Sequence, residues 1–118
     1  MAAPTTKTSG GVVIEDLVAG TGKECPKGAT VKIHYKGTLT NGSEFDSSYA
    51  RGEPAEFSLR DLIQGWQEGI PGMKVGGKRK LTIPYQLAYG ERDVKDGGKV
   101  IIPGKSTLVF EIELLGVR

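Results

Sequence analysis

LIQGWQEGI (62–70) constrains the fold of this chain more than any other stretch. Leu62, Ile63, Trp66 and Ile70 fall at i, i+1, i+4 and i+8, one stripe of a helix. Asp61 is placed to cap its start, and Pro71 ends it, because a residue before proline avoids the α region. A helix of about two turns does not hold itself together in water. It needs a sheet, and the rest of the chain supplies one.

TVKIHYKGTL (30–39) alternates, with Val31, Ile33 and Tyr35 on one face and Lys32, His34 and Lys36 on the other. Asn41-Gly42 follows as a hairpin signal for a type I′ turn, with EFDSS (44–48) returning antiparallel. VVIEDL (12–17), FSL (57–59), KRKLTI (78–83) and TLVFEIELL (107–115) read as further strands, and a long Gly-rich connection runs from Gly90 to Gly104. The predicted fold class is α+β: a curled antiparallel sheet of about five strands wrapped around one short α-helix. Residues 1–11 read as a flexible N-terminal leader and 12–118 as one domain, a length able to bury a core.

A net charge of +2 allows a nucleic-acid or anionic-membrane partner without arguing for one, and neither is expected; no apolar run is long enough for a membrane span. Cys25 is the sole cysteine, which excludes an intrachain disulfide and a thiolate metal cage and fits a reducing compartment, the cytoplasm. GMKVGGKR (72–79) nearly spells a phosphate-binding loop, but Arg79 stands where Ser or Thr must bind magnesium and a strand follows instead of a helix. The cluster Lys74, Lys78, Arg79 and Lys80 is split by strand alternation and reads as solvated surface. His34 is the only histidine, on the polar face, so hydrolytic and metal chemistry lack their parts; no metal or cofactor is expected.

What remains is aromatic. Tyr35, Phe45, Phe57, Trp66 and Phe110 fall on inward faces, and Tyr89 opens the long loop. On their number alone these rings are a core.

HYKGTLTNGSEFDSS (34–48), LIQGWQEGIPGMKVGGKRKLTIP (62–84), LAYG (87–90) and IIPGKSTLVFEIELL (101–115) resemble, in order, the motifs of the FKBP-type peptidyl-prolyl cis/trans isomerases. The resemblance covers almost the whole chain. It implies a pocket formed by Tyr35, Phe45, Asp46, Phe57, Leu62, Ile63, Trp66, Tyr89, Ile102 and Phe110, with Trp66 as the floor under a proline ring. Tyr35, Phe45, Asp46, Trp66, Tyr89 and Phe110 are the residues it implies for catalysis, and the Ile63 N–H and Tyr89 hydroxyl are the implied donors to substrate carbonyls. Asp46 either accepts hydrogen bonds at the cavity edge or ties the wall to Tyr35. Gly65 and Gly69 are expected to let the helix lie close to the sheet.

The implied activity is isomerisation of Xaa-Pro bonds by a monomer that assists protein folding. Its implied partners are proline-containing peptides, unfolded proteins and tacrolimus- or rapamycin-like macrolide inhibitors. A non-catalytic proline-binding or chaperone module using the same cavity is the alternative, and a nucleic-acid-associated factor acting through the lysine cluster is a weaker one.

Three stretches depart from the family pattern. Ala55 stands where many members have phenylalanine, GERDVKDGGKVIIP (90–103) is longer and more charged, and Gly104 and Tyr85 replace prolines. The long loop bears on substrate preference and macrolide affinity.

Overall fold

The structure, a computed structural model, describes residues 5–8 and 10–118. Nine strands form among the described residues: β1 (Thr5–Lys7), β2 (Val13–Val18), β3 (Thr30–Leu39), β4 (Glu44–Ser47), β5 (Ala55–Ser58), β6 (Lys78–Ile83), β7 (Val94–Asp96), β8 (Lys99–Ile102) and β9 (Leu108–Val117). Two short helices join them, α1 (Ser48–Arg51) and α2 (Gln64–Gly69). The fold is the expected α+β arrangement of an antiparallel sheet and a short helix.

The main sheet has the order β1-β2-β6-β9-β3-β4, with β5 also paired to β3. It holds seven strands because β3 is long enough to use two partners on one side, Thr30–Ile33 facing β5 and Lys36–Thr38 facing β4. The inward alternation predicted for β3 holds: Val31, Ile33 and Tyr35 are buried, as are Leu108, Phe110, Ile112 and Leu114 of the central β9.

Four local expectations are corrected. Thr5–Lys7, expected in a flexible leader, pairs with Val13–Glu15 as an edge strand, and the Thr8 hydroxyl donates to Glu68 on α2 (2.7 Å). Residues 1–4 and 9 of that expected leader lie outside the described residues.

The β3–β4 turn is not type I′, since only Gly42 has positive φ (90°). Gly42 donates to the Leu39 carbonyl, and the Asn41 side chain accepts from the Ser43 N–H (2.9 Å), which holds a wider turn. Instead, both-positive φ occurs at Gly97 (59°) and Gly98 (85°), the two-residue tip of a β7–β8 hairpin inside the Gly-rich connection, where no strand was expected.

Asp61 does not cap α2. It lies in a 3₁₀ turn (Leu59–Asp61), and the helix starts after Ile63 with no side-chain cap. So α2 has six residues and depends wholly on what it packs against.

That contact is made possible by glycine. A Cβ on Gly65 would sit 2.4 Å from Cγ2 of Ile83, and one on Gly69 would sit 2.7 Å from Cδ1 of Leu81. Ile83 and Leu81 are fully buried on β6 and have no room to swing away. An alanine in a helix ordinarily gains up to about 1 kcal/mol over glycine, but forcing a methyl into a filled core costs about 1–3 kcal/mol. We therefore expect Gly65→Ala to lower stability by about 1 kcal/mol or more in urea unfolding. An unchanged or raised unfolding midpoint would contradict the close approach.

Candidate functional site

With its glycine face against β6, α2 turns the buried Trp66 toward a hollow between the sheet and the 59–63 segment. The cavity is about 190 Å³ and is lined by Tyr35, Phe45, Asp46, Phe57, Leu62, Ile63, Trp66, Tyr89 and Phe110. Nine of the ten expected residues are thus brought together. The tenth, Ile102, is not among the lining residues. It pairs with Val94 at the end of β8 and is buried in the core.

Burial grades the site. Tyr35, Trp66 and Phe110 are buried and form its floor; Phe45, Asp46, Phe57, Leu62 and Ile63 are half-buried walls; Tyr89, 46% exposed, is the rim. Three rings stand steeply to the indole: Phe110 (centroids 5.0 Å, 88°), Tyr35 (5.3 Å, 76°) and Phe57 (6.0 Å, 71°). Such edge-to-face pairs each add about 0.5–1.5 kcal/mol beyond area burial. The indole N–H is buried with no oxygen or nitrogen acceptor among the described residues.

The sequence reading missed two residues. Gly37 follows Tyr35 on the inward face of β3, and a Cβ there would lie 2.7 Å from both Phe110 Cε1 and Phe45 Cζ. The signal was a glycine at an inward strand position, where alternation calls for an apolar side chain.

The second missed residue is Arg51. Ser47 caps α1 through its hydroxyl, and Gly52 (φ 77°) stops the helix after one turn. This returns Arg51 over Asp46, with Nη1 donating to Oδ1 (2.5 Å) and Nη2 to the Tyr35 hydroxyl (2.8 Å), while that hydroxyl donates to Asp46 Oδ2 (2.6 Å). Both Asp46 oxygens are engaged, so its role in tying the wall to Tyr35 is the one the geometry displays.

Tyr89 is aimed by the 3₁₀ turn Tyr85–Leu87, closed by the Gly90 N–H on the Tyr85 carbonyl (2.9 Å). Burial, then the charge of Asp46, pushes its hydroxyl above the ordinary tyrosine range, so it stays a neutral donor. The Ile63 N–H has no acceptor among the described residues, while the Ile63 carbonyl accepts from Trp66 (3.0 Å). Gly104 is required by its neighbour, since a Cβ would lie 2.1 Å from the Glu91 carbonyl oxygen.

Of the lysine-rich stretch, Arg79 is not solvated as expected. Its side chain is 11% exposed, bonded to Asp16 (2.6 Å) and to the carbonyl of Gly69 (2.8 Å) at the end of α2. Lys78 and Lys80 stand opposite Glu113 and Glu111 on the outer sheet face. His34 is on that polar face as expected, stacked on Tyr49 (4.6 Å) with Nδ1 2.9 Å from the Ser48 hydroxyl. The Tyr49 hydroxyl, partly buried and donating to Glu113, is pushed up to about 12.

The family model described as FKBP-type peptidyl-prolyl cis-trans isomerase matches residues 22–115. An FK506-binding protein of Neisseria meningitidis serogroup B is 50% identical over 92% of this chain and 97% of its own length. FK506-binding protein 1A of Neurospora crassa is 52% identical over 92% and 89%. The isomerase FkpA of Escherichia coli is 51% identical over 94% of this chain, which spans only 39% of FkpA. The crystal structure of AtFKBP13 superposes with a TM-score of 0.86 at 43% identity, covering 98% of this chain and 99% of that one. The chain belongs to the FKBP-type peptidyl-prolyl cis-trans isomerase family.

The ion pair at the wall gives a pH test. Burial raises the carboxyl pKa of Asp46, but hydrogen bonds from Tyr35 and Arg51 and the Arg51 charge outweigh it and hold Asp46 below its ordinary value. Its contribution is therefore complete above the unfolded carboxylate pKa and lost as pH falls through the depressed folded one. The pair is 48% and 41% exposed, so the energy is small and its main effect is orientation. Between roughly pH 5 and pH 2, the urea midpoint of the wild type should fall more than that of Asp46→Asn. Parallel curves would show that the pair does not bind Asp46 in the folded state.

Proposed function

We propose that this isomerase works by taking the proline ring of an Xaa-Pro segment into the aromatic cavity over Trp66 and easing rotation of the preceding bond there. The observation that carries the reading is the convergence of Tyr35, Phe45, Phe57, Trp66 and Phe110, from four strands and one helix, on one cavity of about 190 Å³.

Prolyl bond rotation is slow because amide resonance must be lost, at a barrier of about 18–20 kcal/mol. No bond to proline breaks and no proton has to leave, so a site without an acid–base pair suffices. The twisted amide is less polar than the planar one. An apolar, water-poor surrounding therefore favours it relative to the ground state, and only that difference accelerates the reaction. Each tenfold in rate requires about 1.4 kcal/mol of such preference. Holding the ring equally tightly in both states would add affinity and no rate.

The polar groups then orient the chain. The Ile63 N–H and the Tyr89 hydroxyl donate to carbonyls flanking the ring, and Asp46 with Arg51 keeps Tyr35 in place on the floor. The same donors and rings suit macrolides of the FK506 type, and the names of the N. meningitidis and N. crassa relatives support that extension.

A protease-coupled assay on short Xaa-Pro peptides tests the reading. Tyr89→Phe should lower kcat/KM by about tenfold, roughly 1.4 kcal/mol, with the circular dichroism of the fold retained. Full activity in that variant would remove Tyr89 from the donor role. FK506 at saturation should quench or shift the emission of Trp66, the sole indole. An unchanged spectrum would count against Trp66 as the floor.

A further inference from the structure

The 59–67 segment has two sides. Leu62 and Ile63 line the proline cavity, while Leu59, Arg60, Gln64 and Gln67 line a second hollow of about 340 Å³, which Lys27 and Glu68 help to close. Gln67 joins the two, because its amide donates to the Leu62 carbonyl (2.7 Å). The Ile63 N–H lies on the same boundary. Gln64, the next residue, lines the second hollow, so a peptide bonded to the Ile63 N–H can reach that hollow with one of its flanks.

The charges of that hollow are unbalanced. Arg60 and Lys27 are exposed and have no ion pair or side-chain hydrogen bond among the described residues. Glu68 is the lining carboxylate, and its oxygens already accept from the Thr8 hydroxyl (2.7 Å) and the Gln64 amide (3.2 Å). Two cations remain for a ligand, and the Gln64 and Gln67 amides, each already donating once, keep one further N–H apiece. A guanidinium fork matches a carboxylate, and the amides add donors.

We propose that this hollow is a specificity subsite for an aspartate or glutamate side chain of the substrate, a few residues from the proline. The inference rests on the proline cavity being the reacting site. Because both cations are solvent-exposed, each pair with a substrate carboxylate is weak, so the effect is a preference and not a requirement. The gain appears in KM, since the carboxylate stays bound through the rotation without sensing it.

The test is a set of otherwise identical proline peptides carrying glutamate or glutamine at each flanking position in turn. At one position, glutamate should raise kcat/KM by about three- to fivefold at low salt, with the gain disappearing in about 1 M salt. The double variant Lys27→Glu with Arg60→Glu should reverse the preference, whereas Lys32→Glu on the outer sheet face should leave it as in the wild type.

Equal turnover of glutamate and glutamine peptides at every position, with the neutral peptide still isomerised, would overturn the subsite alone. So would a preference that survives the double reversal. Failure to isomerise even the neutral peptide would instead remove the isomerase reading and the subsite with it.

Discussion

A helix of six residues lies against a sheet strand only because two of those residues have no side chain. Gly65 and Gly69 meet Ile83 and Leu81 at distances that no Cβ tolerates. Everything at the site depends on that approach. It turns the indole of Trp66 into the hollow, sets the Ile63 N–H at the cavity's edge, and leaves α2 ending where Arg79 can satisfy its last carbonyl, that of Gly69. Gly37 does the same from the opposite side, allowing Phe45 and Phe110 to close together at 5.5 Å. The cavity is therefore shaped by side chains that are absent as much as by rings that are present.

Around this apolar frame the polar groups have a different task. The pairing of Arg51, Asp46 and Tyr35 lies partly in water, where an ion pair is worth at most about 1 kcal/mol. Its value is geometric, since two hydrogen bonds at its hydroxyl, braced by a third between Arg51 and Asp46, fix the orientation of Tyr35. The rim is freer: Tyr89 is held by a short turn and the hairpin behind it, and half of it meets solvent. A rigid floor with an adjustable edge suits a substrate that must rotate while bound.

The sequence made the strands and the cavity rings legible through alternation and helical spacing, and the family motifs tied them to one site. Arg51 escaped because its role depends on a single helical turn, set by a serine cap and a left-handed glycine, that no periodicity reveals. Ile102 is buried at the end of the β7–β8 hairpin and is not among the cavity-lining residues, and its motif position gives no sign of that hairpin. Asn41-Gly42 does not take the expected type I′ turn, its asparagine side chain accepting from the Ser43 N–H instead, while Gly97-Gly98, for which no turn was expected, takes positive φ at both residues. Arg79 looked like surface charge until the end of α2 gave it carbonyls to bind.

The central claim is that the prolyl ring reacts while stacked over the indole of Trp66, inside the aromatic hollow. A crystal structure with a bound Xaa-Pro peptide tests it most directly. The account predicts the pyrrolidine ring over the indole face, with a substrate carbonyl on the Ile63 N–H. A peptide bound elsewhere, with the hollow still empty or closed by Phe45 and Tyr89, would contradict it.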